Sequence, residues 1–246
     1  MNPPIDLAKT KLGPKEREAV TGFCDELVTA LGDGLEAIVL CGSAARGDYR
    51  PGRSDINLLV VLETIEVASM KKVVAAVVPS RRHTLAPIIA SKASLRSSTD
   101  VFPMEYLLLK EAYQVLWGED VLASLDVRRE HLRLRCEQEI KDVLRKLRSY
   151  YVMSAGRNLG EVMVRTVGGF LETLRVTISV LDGTLPSRVQ VVDVAARTFG
   201  IDGGTLRQVI MLRSMDVPPP PAEAEELYDR YMALVDRVAI TIDETR

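Results

Sequence analysis

The chain has 246 residues, 47% hydrophobic and 27% charged, with a formal net charge of −2. That balance supports one large domain or two small ones around a sizeable core, and it excludes a protein that coats nucleic acid through bulk positive charge. Cys24, Cys41 and Cys136 are too few and too scattered for a disulfide framework or a zinc ligand set, and they read as buried, reduced thiols.

The amino-terminal stretch MNPPIDLAKTKLGPKERE has no apolar leader core. No uncharged run approaches the ~20 residues of a membrane span. The expectation is a soluble, cytoplasmic protein without membrane contact.

Pro14 suits the first turn of a helix, and Val20, Phe23, Leu27 and Leu31 recur behind it at helical spacing. The apolar run LEAIVLC, 35–41, predicts a buried strand, and INLLVVL, 56–62, predicts a second. EVASMKKVVAAVV reads as a helix closed by Pro79. TLAPIIAS predicts a third strand, placed at an edge by Pro87. VFPMEYLLL, 101–109, predicts a fourth strand. Trp117 reads as core packing.

Beyond Gly118 strand signals stop. Helices are expected over 128–153 and 159–181, the latter apolar nearly all round, then over two shorter segments ending near Gly200 and Ser214. The tetraproline 218–221 is extended chain that spaces off a last acidic helix, 222 to about 243. The expected fold is therefore α/β (α+β): a domain over 1–120 with a short mixed sheet and helices on one side, followed by a helical bundle over 121–246. The apolar segment 159–181 leaves a homodimer open. Arg128–Arg157 is basic on balance and is expected to be solvated or paired with the acidic last helix. Arg81, Arg82 and His83 read as a solvated turn.

The chemistry concentrates in CGSAARGDYRPGRSDINLLVVL, Cys41–Leu62. Gly42 has no Cβ, so a phosphate can approach its backbone. Ser43 adds a hydroxyl, and Arg46 a fixed positive charge. SAAR can open a short helix with free N–H groups. Gly47 and Gly52 let the loop turn back. Asp55 then heads the next strand, with Asn57 two residues on and on the same face.

GSAARG followed by SDIN resembles the GS-x-x-RG…D-x-D signature of the DNA polymerase beta-like nucleotidyltransferase superfamily, nearest its small bacterial branch of minimal and aminoglycoside nucleotidyltransferases. The resemblance covers roughly residues 36–110. It implies a nucleoside triphosphate cradled by Gly42 and Ser43, with Arg46 on the phosphates. It implies two Mg²⁺ ions held by the acids of the second strand and a third acid on a later strand. An acceptor hydroxyl would attack the α-phosphate and release pyrophosphate. Asp55 would be a catalytic metal ligand. Glu105 is the candidate third acid and general base, with Asp100 as runner-up.

Asn57 departs from the pattern. It stands where the second carboxylate is expected, and its amide can ligate Mg²⁺ only as a neutral group. Two functions follow as expectations. One is transfer of a nucleoside monophosphate, from ATP in the first place, to a hydroxyl on a small molecule, an RNA end or a protein. The other is a catalytically weakened nucleotide-binding relative that acts as a regulatory or interaction protein.

Overall fold

The structure is a computed structural model and describes residues 5, 7, 10–52, 54–79, 85–215 and 217–245. Arg81, Arg82 and His83 lie outside the described residues. The chain divides into two compact units, Met1–Val127 and Arg128–Arg246.

The first unit opens with α1 (Pro14–Leu31), which carries Pro14 in its first turn. Next come β1 (Leu35–Cys41), the short α2 (Gly42–Arg46), β2 (Ile56–Leu62), α3 (Val67–Val77) and β3 (Leu85–Ala90). The unit closes with α4 (Lys92–Ser97), α5 (Pro103–Glu111) and β4 (Tyr113–Gly118). The four strands form one mixed sheet in the order β3-β2-β1-β4. β1 runs antiparallel to both β2 and β4, whereas β2 and β3 are parallel. A parallel pair needs a crossover, and α3 supplies it. β3 sits at the edge, where its Pro87 costs the sheet no central ladder bond.

Alternation along β1 and β2 sends side chains to two faces, and both are covered. On one face Ile38, Leu40, Ile56, Leu58 and Val60 pack with Val20, Phe23 and Leu27 of α1 and Val73 and Ala76 of α3. On the other, Val39, Cys41, Leu59 and Val61 pack with Leu95 of α4, Tyr106 of α5 and Leu122. Helices therefore lie on both sides of the sheet, not on one. Continuous apolar runs in β1 and β2 follow from this, because a strand buried on both faces has no polar side. Trp117 packs against the first of these clusters.

The expected fourth strand over 101–109 is not a strand. It is the helix α5, and the strand follows it at 113–118. Pro103 occupies the first helical turn, where its missing N–H costs nothing, and the residues behind it are good helix formers. Tyr-Gln-Val-Leu-Trp carries the stronger β preference. Glu105 consequently sits in a helix, exposed.

The second unit consists of α6 (Arg129–Ser154), α7 (Leu159–Asp182), α8 (Val191–Phe199), α9 (Gly203–Met211) and α10 (Pro221–Glu244). Pro220 caps α10 in polyproline geometry, and Pro221 starts it. α7 buries Met163, Val167, Phe170, Leu174 and Ile178, as its apolar surface requires. Its buried Arg175 donates to the Pro186 carbonyl at 2.7 Å and to Glu172 at 2.8 Å. Glu172 also meets Arg188 at 2.7 Å, so its carboxylate ties the loop after α7 to the helix. The basic face of α6 is paired, to its own acids and to α10 through Lys141–Asp243 and Arg148–Asp236, at 3.2 and 3.1 Å. Tyr228 of α10 donates to the Leu147 carbonyl, a bond that fixes α10 against α6. Among the described residues, no helix is long and apolar enough to cross a membrane.

Cys24, Cys41 and Cys136 are buried thiols outside any disulfide among the described residues, and burial pushes each thiol up to about 12. At pH 8 the folded chain then holds roughly one thiolate in 10⁴ at each site, against about a quarter in an unfolded chain. Because the unfolded chain gives up these protons first, the three thiols favour the folded state below about pH 8.5 and lose that contribution as pH rises toward 12. Thiol titration with a disulfide reagent at pH 8 should show all three unreactive over minutes in buffer and all three reacting promptly in urea. Prompt labelling of the native protein would contradict this burial.

Candidate active site

The site is built at the end of β1. Cys41 ends the strand in extended conformation, and Gly42 turns the chain with φ of +70° into α2. The α2 turn is closed by Gly47 and Asp48, whose N–H groups both donate to the Ser43 carbonyl at 3.0 Å. A second small turn, Ser54 N–H to the Arg50 carbonyl at 2.9 Å, brings the loop back to Asp55 and β2.

The antiparallel register sets Cys41 opposite Asn57. Asn57 therefore stands beside the bend itself. A Cβ on Gly42 would lie 3.0 Å from Asn57 Nδ2, which is tighter than ordinary packing allows. Gly42 is required here twice over, for its positive φ and for this close approach. Asp55 precedes the strand by one residue, exposed, on the face that Asn57 and Leu59 share. Ser43 is half-buried. No side-chain hydrogen bond joins Ser43, Asp55 or Asn57 to another described residue, so their polar atoms are available to a guest.

Arg46 ends α2 and is only 18% exposed. Its Nη2 lies 3.5 Å from Asp48 Oδ1, while its Nε is buried and without a partner among the described residues. Sequence reasoning missed Lys11, whose aliphatic stem lies over Gly47, 3.4 Å from where a Cβ would stand. No motif marks Lys11; only the return of the chain end onto α2 brings it there.

The structure thus brings Gly42, Ser43, Arg46, Asp55 and Asn57 together on one loop and its two strands. It does not bring Glu105 or Asp100 into the sheet. Glu105 lies on the first turn of α5, and Asp100 in the exposed turn before it. Across the sheet at the level of Asn57, the neighbours are Ala86 on β3, Cys41 on β1 and then Tyr113 on β4. This row offers a methyl, an amide, a thiol held protonated by burial, and a phenol. The phenol of Tyr113 donates to Asp120 Oδ2 at 3.0 Å, and Asp120 Oδ1 accepts from the Ala123 N–H at 3.0 Å, so this carboxylate already has two donors. Burial, then Asp120, raises the Tyr113 pKa and keeps the phenol neutral.

Residues 22–116 match the family model described as Nucleotidyltransferase domain. The match lies within the first unit. Its sheet and its Gly42–Ser43 bend are the part that the match spans. Among solved structures, the chain resembles the crystal structure of spectinomycin adenyltransferase AAD(9) from Enterococcus faecialis with ATP and spectinomycin. The identity is 12% and the TM-score 0.57, over 90% of this chain and 98% of that one, a likeness of fold that includes the helical half. No curated protein matches the chain.

A nucleotidyltransferase domain generally works with a divalent metal such as Mg²⁺, which needs several hard, charged oxygens. The residues present do not fit a two-ion centre. Asp55, at the head of β2, and Asp48, which faces Arg46, are the carboxylates of this loop. Asn57 brings no charge, and Ala86 next to it brings no oxygen. Among the described residues, no group of three or more His, Cys, Asp or Glu side chains could hold a metal. One charge pair near 4 Å is worth roughly 4 kcal/mol at an effective dielectric near 20. Each missing carboxylate therefore weighs heavily on a cation bound here.

Gly42→Ala should destabilise the first unit by about 1–2 kcal/mol, from the left-handed backbone alone. Chemical denaturation followed by Trp117 fluorescence measures this. A neutral result would mean that the bend relaxes freely and that Asn57 is not pressed against it.

Proposed function

We propose that the protein is a nucleoside-triphosphate-binding protein of nucleotidyltransferase type. The phosphates of the nucleotide, ATP in the first place, lie against Gly42 and Ser43, with the charge of Arg46 beside them. The reaction class of its domain is transfer of a nucleoside monophosphate to a hydroxyl acceptor. In that reaction the acceptor oxygen bonds to the α-phosphorus, the bond to the leaving pyrophosphate breaks, and the hydroxyl proton is lost. The observation that carries the reading is the meeting of Gly42 and Asn57 at one bend, with Ser43 and Asp55 alongside, inside a segment that matches the domain.

Two forms of this reading differ in turnover. In the first, the chain is an active, Mg²⁺-dependent transferase. In the second, it holds its nucleotide with little or no transfer and acts as a regulatory or interaction protein. The donor set supports the second form: an amide at 57, a methyl at 86 beside it, and Glu105 on a helix instead of a strand. Positioning and charge neutralisation carry most of a phosphoryl-group transfer, and the second of these is what the side chains lack. Ser43, Arg46 and Gly42 ask nothing of a metal, so binding survives the loss. For an acceptor, the solved neighbour carries spectinomycin, which makes a small hydroxylated molecule the class to test first. An RNA end and a protein hydroxyl follow.

Calorimetric titration with the four nucleoside triphosphates tests the binding. ATP should give saturable heat, and Ser43→Ala and Arg46→Ala should each weaken it about tenfold, the usual scale for a lost charge-assisted contact. Pyrophosphate release from ATP with candidate acceptors should stay at background. Rapid release would establish the first form, and flat heats for all four nucleotides would remove both.

A further inference from the structure

We infer that this site takes its triphosphate without a divalent cation, with Asn57 acting as a hydrogen-bond donor to a phosphate oxygen. The inference rests on the reading that the first unit binds a triphosphate. It goes further in saying what Asn57 does there and in what ionic form the guest arrives.

Four observations meet. The Asn57 amide reaches the bend itself, since a Cβ on Gly42 would lie 3.0 Å from Nδ2. A side chain in that position touches whatever approaches the Gly42 backbone. Second, Asn57 and Ser43 make no side-chain hydrogen bond to a described residue. An amide offers two N–H donors, and a carboxylate offers none. Third, Arg46 stands on the same short element, its Nη2 3.5 Å from Asp48 but its buried Nε without a hydrogen-bond partner among the described residues, and the stem of Lys11 lies against Gly47. Fourth, the strand neighbours at this level add no negative charge: Ala86 on one side of Asn57 and Cys41 on the other.

A carboxylate at 57 would repel the phosphates and oblige a cation to sit between them. The amide removes that repulsion and adds donors, so the phosphates meet Asn57 directly. With Asp48 facing Arg46, Asp55 remains as the other negative charge of the loop. It is exposed and therefore screened by solvent and salt, whereas Asn57 is half-buried at the bend. The same substitution that weakens a metal centre thus converts the bend into a site for the bare anion.

The test uses the whole chain and calorimetric titration of ATP, in magnesium chloride and again in EDTA. For the natural protein the two dissociation constants should agree within about threefold. For Asn57→Asp, affinity in EDTA should fall at least about tenfold and should return when magnesium is restored. Natural protein that binds only with magnesium overturns the inference and leaves the reading of a triphosphate site standing. An Asn57→Asp protein as indifferent to magnesium as the natural one also overturns it, because Asn57 would then not face the phosphates. Absence of binding in both buffers overturns the triphosphate site and the inference with it. Should the variant fail to fold, the two titrations of the natural protein decide alone.

Discussion

The register of β1 against β2 is the constraint on which the site depends. With Cys41 opposite Asn57, the residue that follows Cys41 and the side chain at 57 are forced into contact. A slip of one residue would turn Asn57 into the core and Ile56 toward the bend. Burial prevents the slip. Ile56, Leu58 and Val60 belong to the cluster under α1 and α3, and Leu59 and Val61 to the cluster under α4 and α5. Hydrophobic packing on two faces of a sheet therefore determines which polar group stands at the bend. Gly42 completes the arrangement, because a Cβ there would lie 3.0 Å from Asn57 Nδ2.

The charge at the bend follows from the same pairing. β3 joins β2 in parallel with Ala86 at the level of Asn57, and β4 joins β1 with Tyr113 at the level of Cys41. Each strand thus contributes one side chain to a single row, and each of the four is uncharged. Asp55 lies just outside the row. A centre that pulls two divalent ions together needs its acids inside it, where solvent does not screen them. What remains is a site in which Arg46 faces Asp48, Asp55 stands exposed, and the nearest strand-borne polar group is an amide. Shape for phosphate and charge for metal are separable properties, and the function proposed for this chain needs only the first.

Much of this was legible in the chain itself, and the misses have physical causes. The strands at 35–41 and 56–62 are uninterrupted β-rich runs, and the Gly-Ser bend between them has few other uses. Glu105 was misplaced because PMEYLLL is apolar enough for a strand and also made of helix formers. The proline in front of it reads as a strand edge or as a helix start, and only the packing of Met104 and Tyr106 selects the helix. The position of Ala86 beside Asn57 could not be read, because parallel pairing across a crossover leaves no local mark. Lys11 was missed for the same reason: its contact with Gly47 crosses more than thirty residues of chain. Helices on the second face of the sheet were implied by the two-sided burial of β1 and β2, a signal present in the runs but not used.

The helical half shows how polar groups survive inside an apolar environment, and it sharpens the contrast with the bend. Arg175 is 1% exposed in a helix that is otherwise nearly all apolar. A buried guanidinium is tolerated only when its donors are taken up, and here the Pro186 carbonyl and Glu172 take them. Thr166, Thr173 and Thr177 return their hydroxyls to carbonyls of their own helix. Tyr231 meets Thr166 at 3.3 Å and stacks edge-on against Phe170. These buried groups on α7 and α10 are answered from within the protein. The hydroxyl of Ser43, the amide of Asn57 and the Nε of Arg46 receive no such answer. Three polar groups without a hydrogen bond to another described residue, on the bend and the two elements beside it, are what the proposed anion site would use.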